Sequence, residues 1–105
     1  MPPQLPLDPA RQALEARWFR LTREVLPGMA AERRWPVRLD HCFQRILLDA
    51  ACGGRWDGLL AARPAYRALD DGRLAAAVML AEAVAAGEAN LAALNERSLR
   101  WRGRG

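Results

Sequence analysis

Arg38-Leu39-Asp40-His41-Cys42-Phe43-Gln44-Arg45-Ile46-Leu47-Leu48-Asp49-Ala50-Ala51-Cys52 holds the chain's only histidine, both of its cysteines and its densest cluster of large apolar side chains. Wound at about 100° per residue, this stretch shows two faces. Leu39, Phe43, Ile46, Leu47 and Ala50 fall on one side, a stripe wide enough to be a core face. Arg38, His41, Arg45, Asp49 and Cys52 fall on the other, with Leu48 among them. Leucine and cysteine on the nominally polar side predict a helix over about 38–52 that is covered on both sides and forms the centre of the fold. Gly53-Gly54 supplies its stop, because glycine takes the left-handed C′ conformation at little cost.

Around this helix, 105 residues leave room for one domain. No run approaches the roughly 18 apolar residues of a membrane span, and no charged and apolar leader pattern opens the sequence. A soluble, cytoplasmic protein with no membrane partner is expected. The two cysteines are ten residues apart, roughly 15 Å along a helix, too far to pair with each other. The basic side is sixteen arginines and no lysine against twelve acids, a net charge of +4. Arginine and alanine are overused together, as in GC-rich coding. The charge is compatible with nucleic acid without demanding it.

Before the central helix, residues 1–7 carry Pro2, Pro3 and Pro6 and read as a surface arm. Asp8-Pro9 is a helix start: the carboxylate caps free amides, and proline sits where its missing N–H is not needed. Leu14, Trp18, Leu21 and Val25 then recur at helical spacing to about Leu26, and Pro27-Gly28 is expected to end the helix. Its outer face carries Arg11, Arg20 and Arg23. After a turn at 29–34, Trp35-Pro36-Val37 forces an extended crossing.

Beyond Gly54, Asp57 is positioned to cap a short helix that stops ahead of Pro64, and 64–69 reads as a further helical turn. Asp70-Asp71-Gly72 opens the clearest amphipathic run, Leu74, Ala77, Val78, Ala81, Val84 and Ala85, closed by Gly87. Its alanines admit a close neighbour and make 71–86 a candidate homodimer face. Asn90 starts the last helix, with Leu91, Leu94 and Ser98 on one face and Asn95 beside them. No stretch alternates with period two beyond a few residues. The expectation is an all-α bundle of four to six helices over 8–101, followed by a basic tail at 102–105.

The chemistry legible at this level is limited. One histidine and two cysteines, without C-x-x-C or H-x₃-H spacing, argue against a metal, and no phosphate-cradling loop or cofactor motif occurs. Cys42, flanked by Arg38 and Arg45 on one helical strip, is a candidate nucleophile. His41 is a candidate proton carrier, although it points about 100° away from Cys42. Arg45 and Asp49 form an i,i+4 pair that becomes an orienting pair if partly buried. In the C-terminal segment Arg97, Arg100, Arg102 and Arg104 surround Trp101 against Glu96 alone. Arginine binds phosphate bidentately and tryptophan stacks on an unpaired base.

From these features the preferred expectation is a nucleic-acid-binding module for DNA or RNA. Its contacts would be Arg97, Arg100, Trp101, Arg102 and Arg104, with Arg38 and Arg45 next. The alternatives are a small-ligand-binding protein or enzyme built around His41, Cys42, Arg45 and Asp49, and an interaction module with no site of its own.

Three segments also resemble a small family of uncharacterised bacterial and fungal proteins: Trp35-Pro36-Val37-Arg38-Leu39-Asp40-His41-Cys42-Phe43-Gln44-Arg45, Pro64-Ala65-Tyr66, and Leu94-Asn95 with Ser98-Leu99-Arg100-Trp101-Arg102-Gly103. Together they cover about 35–103. Some of those proteins carry acetyltransferase or alkylated-DNA methyltransferase labels. This chain lacks the mixed sheet and pyrophosphate loop of the first class. Where the second class has Pro-Cys-His-Arg, it has His41-Cys42-Phe43. The resemblance therefore implies no residue roles.

Overall fold

The computed structural model describes residues 8–59 and 69–104, which fold as helices joined by short turns, with no strand among the described residues. The expected arm at 1–7 and the Pro64-Ala65-Tyr66 turn lie outside the described residues. Among the described residues six α-helices follow in order: α1 (Pro9–Arg20), α2 (Leu26–Arg33), α3 (Asp40–Cys52), α4 (Trp56–Leu59), α5 (Asp71–Ala85) and α6 (Leu91–Trp101). The architecture is an all-α bundle, as its apolar periodicities require.

The first helix begins as its sequence dictates, with Asp8 Oδ1 accepting from the amide of Ala10 at 3.0 Å. It does not end at Pro27-Gly28. The backbone widens into a π turn over Leu21–Val25 and continues as α2 through the proline to Arg33. A proline inside a regular helix has no amide to donate and its ring meets the carbonyl four residues back. The wider turn lies just ahead of that point, and Leu26 donates five residues back to the carbonyl of Leu21. The apolar phase survives the insertion: Trp18, Leu21, Leu26 and Ala30 are all buried.

α3 is the centre that its two-faced pattern predicts. Phe43, Ile46 and Leu47 are fully buried on one side, and Leu48 and Asp49 are buried as well. It packs against the π turn, α2, α4, α5 and α6. Leu39 departs from the expected core face: it is the N-cap residue and 58% exposed, because the chain is still entering the helix from outside. Trp35 closes the entrance with an edge-to-face contact to Phe43, ring centroids 5.7 Å apart.

α5 is capped by Asp70, which accepts from the amide of Arg73 at 3.2 Å. Its Leu74, Ala77, Val78, Ala81 and Val84 are buried against α1 and α3. The alanine stripe is thus spent inside the domain, and Met79 is the large apolar side chain that α5 leaves exposed. Arg11 reaches Asp71 at 2.8 Å and Arg17 reaches Glu82 at 2.9 Å, tying α1 to α5 with two arginines of the first helix. Arg23 lies 3.9 Å over the ring of Phe19.

α2, α3, α5 and α6 end alike, each with an amide bonding five residues back across a left-handed residue. The pairs are Trp35 to Ala30, Gly54 to Asp49, Glu88 to Ala83 and Arg104 to Leu99. Three of the left-handed positions are Gly53, Gly87 and Gly103; the fourth is Arg34, at φ 56°. An L side chain pays roughly 1–2 kcal/mol for that conformation, which glycine avoids. Arg34→Gly is therefore expected to stabilise the protein by up to about 1 kcal/mol after glycine's larger unfolded-state entropy is subtracted. A higher urea midpoint with unchanged m-value checks it; a lower midpoint contradicts it.

Candidate functional site

Asp49 lies in the penultimate turn of α3 with no exposed surface. A carboxylate removed from water persists only when its oxygens are met by donors and its charge by a cation. All of this is supplied. Oδ1 accepts from the amide of Trp56 at 2.9 Å and from Arg102 Nη2 at 2.9 Å. Oδ2 accepts from Ser98 Oγ at 2.6 Å and from Arg102 Nε at 2.9 Å. The guanidinium grips the carboxylate bidentately, the strongest arrangement for this pair. One side chain thus joins α3 to the start of α4 and to the end of α6. The hydrogen bond from Arg102 to Asp49 raises the arginine pKa further, against the cost of its burial.

The network continues outward on two sides. Arg102 Nη2 also lies 3.4 Å from Asp57 Oδ1, and Arg55 Nη2 holds the other oxygen of Asp57 at 3.0 Å. Asp57, expected as a helix cap, is instead a ligand for two arginines. The hydrogen bond from Arg55, with help from Arg102, lowers its pKa below the ordinary 3.8 against the opposing effect of burial. Towards the start of α3, Arg45 Nη1 donates to Ser98 Oγ at 2.7 Å and Nη2 donates to Asn95 Oδ1 at 2.9 Å. The i,i+4 pair expected between Arg45 and Asp49 is replaced by a relay through Ser98, whose hydroxyl accepts from Arg45 and donates to Asp49. Arg45 is therefore held by two neutral partners, and its geometry is fixed by α6.

This network forms the floor of a cleft of about 400 Å³ lined by His41, Cys42, Arg45, Arg55, Leu99, Arg102 and Arg104. Among the described residues four arginines line it and no Asp or Glu does. Arg55 and Arg102 are matched from behind by Asp57 and Asp49, and His41 Nδ1 lies 3.6 Å from Asp40 at the rim. Arg45 and Arg104 have no carboxylate partner among the described residues. Among the described residues, two cations around one concavity are thus without a carboxylate partner, and low-dielectric walls strengthen their field.

Of the residues singled out in the sequence, His41, Cys42 and Arg45 line this cleft and Asp49 lies buried behind it. Arg102 and Arg104 join them from the C-terminal segment, but Arg102 is turned inward onto Asp49 rather than outward. Arg38 and Arg97 are exposed and do not line the cleft. Arg100 is exposed, 3.8 Å from Glu96, and Trp101 is half-buried. Cys42 and Cys52 are both free. Burial pushes the Cys52 thiol up, with Arg73 opposing, as suits a packing residue.

Sequence reasoning passed over Asn95 and Ser98 as site residues, although Leu91, Asn95, Ser98 and Arg102 recur at helical spacing. Polar residues in phase with a buried leucine are the signal that the face meets a polar partner. Among the described residues no group of three His, Cys, Asp or Glu side chains is arranged to hold a metal ion. None of the described helices is long and apolar enough to cross a membrane. No protein family, curated protein or solved structure matches the chain.

Two outcomes are expected from this geometry. Asp49→Asn puts an amide, with one accepting atom, among four donors at a position without exposed surface, leaves Arg102 with Asp57 as its remaining carboxylate, and should cost about 3 kcal/mol in urea unfolding; a cost below about 1 kcal/mol contradicts the network. Because the pKa of Asp57 is depressed in the folded state, its contribution is complete above the ordinary value of 3.8 and is lost as pH falls through the folded value below it. Melting temperature measured between pH 2 and 5 should fall less steeply in Asp57→Asn than in the unsubstituted protein; parallel curves contradict the pairing.

Proposed function

We propose that this chain is a small-ligand-binding protein whose ligand is an anion held in the arginine-lined cleft between α3 and α6. The observation that carries this reading is Arg45, a half-buried guanidinium fixed by Asn95 and Ser98 yet matched by no carboxylate among the described residues. Retaining an unpaired charge at such a position costs stability unless something of opposite sign completes it. Its position is set before any ligand arrives, which removes part of the ordering cost of binding. Arg104 supplies the second uncompensated cation, Arg102 and Arg55 contribute field from fixed positions, and Leu99 and Cys42 offer apolar surface to the rest of the ligand. His41 sits at the rim as a further donor.

The geometry gives less support to a nucleic-acid surface. Arg102 is spent on Asp49 and Asp57, and Arg11 and Arg17 are spent on acids of α5. That reading retains Arg38, Arg97, Arg100 and Trp101 as outward contacts. The two free cysteines agree with a cytoplasmic setting.

Thermal unfolding in the presence of small polyanions tests the proposal. At a free concentration of 100 times the dissociation constant, a ligand of the folded state adds about 2.7 kcal/mol. A saturable rise with phosphate or a small polycarboxylate, absent with a neutral polyol, supports the cleft as a binding site. An unchanged melting temperature with every anion overturns it. If a single-stranded oligonucleotide stabilises the protein with a steep salt dependence while small anions do nothing, the arginine surface and not the cleft is the functional element.

A further inference from the structure

Resting on the reading of the cleft as an anion site, we infer that its ligand is a phosphate monoester in its doubly charged form. The phosphoryl group sits between Arg45 and Arg104, and the organic part lies over Leu99 and Cys42. The charge count is the first reason. Of the four arginines facing the cleft, Arg55 is matched by Asp57 and Arg102 by Asp49, so among the described residues two positive charges remain for a ligand. A phosphomonoester above its second pKa of about 6 carries close to two negative charges on one compact group, whereas a sulfate ester or a phosphodiester carries one.

Donor geometry is the second reason. Arg45 uses one N–H of Nη1 on Ser98 and one of Nη2 on Asn95, and a guanidinium has five. Three N–H groups of a planar fork remain, enough for a bidentate contact to a tetrahedral oxyanion. Arg104 follows the left-handed Gly103, its amide donating to the carbonyl of Leu99 at 2.7 Å, and is an exposed residue lining the same cleft. An exposed side chain on a closed helix end is free to fold down over a ligand that Arg45 already holds.

The third reason is that the cleft is not wholly polar. Leu99 and Cys42 contribute apolar surface within about 400 Å³, more than inorganic phosphate fills. The volume and the apolar wall suit an ester with an organic group of sugar or nucleoside size.

Calorimetric titration at pH 8 and low salt with ribose 5-phosphate and adenosine 5′-monophosphate tests this. Inorganic phosphate, methyl sulfate, malonate and a short single-stranded oligonucleotide are measured beside them. The expected result is one site per chain for at least one of the two esters, at least tenfold tighter than methyl sulfate or inorganic phosphate. Arg104→Gln, an exposed position whose loss leaves the core intact, should weaken that binding at least tenfold. Arg45→Gln should do the same with the helical circular dichroism retained. Arg20→Gln, which removes one exposed positive charge outside the cleft, should leave it unchanged.

Malonate or methyl sulfate binding as tightly as the esters overturns the phosphomonoester assignment while leaving the anion cleft standing. An oligonucleotide binding more tightly than both esters also overturns the assignment. Equal weakening by Arg20→Gln and Arg104→Gln overturns it too, because net charge alone would then account for the affinity. No binding of any anion overturns both the assignment and the cleft.

Discussion

The carboxylate of Asp49 is the point on which this small fold turns. It is fully buried, and its four donors come from three places in the chain: a backbone amide at the start of α4, a hydroxyl in the middle of α6 and the guanidinium at the end of α6. Burying a charge is costly unless every oxygen is met, so the interaction selects one position and one rotation of α6 on α3. Apolar packing alone is less demanding. A helix whose buried positions are Leu91, Asn95 and Ser98, with Leu94 partly buried against the core, has few large apolar side chains to locate it, and the polar network supplies the rest of the register.

The cleft is a by-product of the same constraint. Arg102 is drawn onto Asp49 and, with Leu99 and Arg104, lines the cleft together with Arg45 and His41. Ser98 links the two halves, since the hydroxyl that donates to Asp49 is the one that holds Arg45. The carboxylates sit behind the wall and the uncompensated cations in front of it. Such a division gives the concavity one sign of potential without leaving the domain's interior unbalanced. In the first segment the arginines behave differently: Arg11 and Arg17 are absorbed by acids of α5 and serve packing.

The central helix was legible in the sequence because its two faces obey the helical period and because Gly53 is a stop with a mechanism. The same holds for α5, where Asp70 and Gly87 mark both ends of one apolar stripe. Two features were misread for identifiable reasons. Pro27-Gly28 reads as a terminator under local rules, yet a one-residue widening at Leu21–Val25 accommodates the ring, and Leu26 and Ala30 on the far side are worth burying. Leu39 fits the apolar stripe by spacing, but the first residue of a helix lies beyond the surface its later turns cover.

At the site, position along α3 puts Arg38, His41, Arg45, Asp49 and Cys52 on one face; of these His41 and Arg45 line the cleft, joined by Cys42, while Asp49 lies buried behind it and Arg38 and Cys52 do not line it. What spacing could not tell was which partner each would take. Arg45 and Asp49 are i,i+4 neighbours, and the natural expectation is a direct pair; a serine from another helix separates them. Arg102 reads as part of a basic tail because four arginines lie close together in sequence, yet it is the residue in phase with Ser98 and Asn95.

The most direct test of this account is a double-mutant cycle in urea between Asp49→Asn and Arg102→Gln. If the pair is the buried, bidentate contact described, the double variant should be less destabilised than the sum of the single variants by about 2 kcal/mol, with the m-value unchanged. Additivity within about 0.5 kcal/mol would mean that Asp49 and Arg102 do not meet, and the register of α6 and the cleft built on it would fall with them.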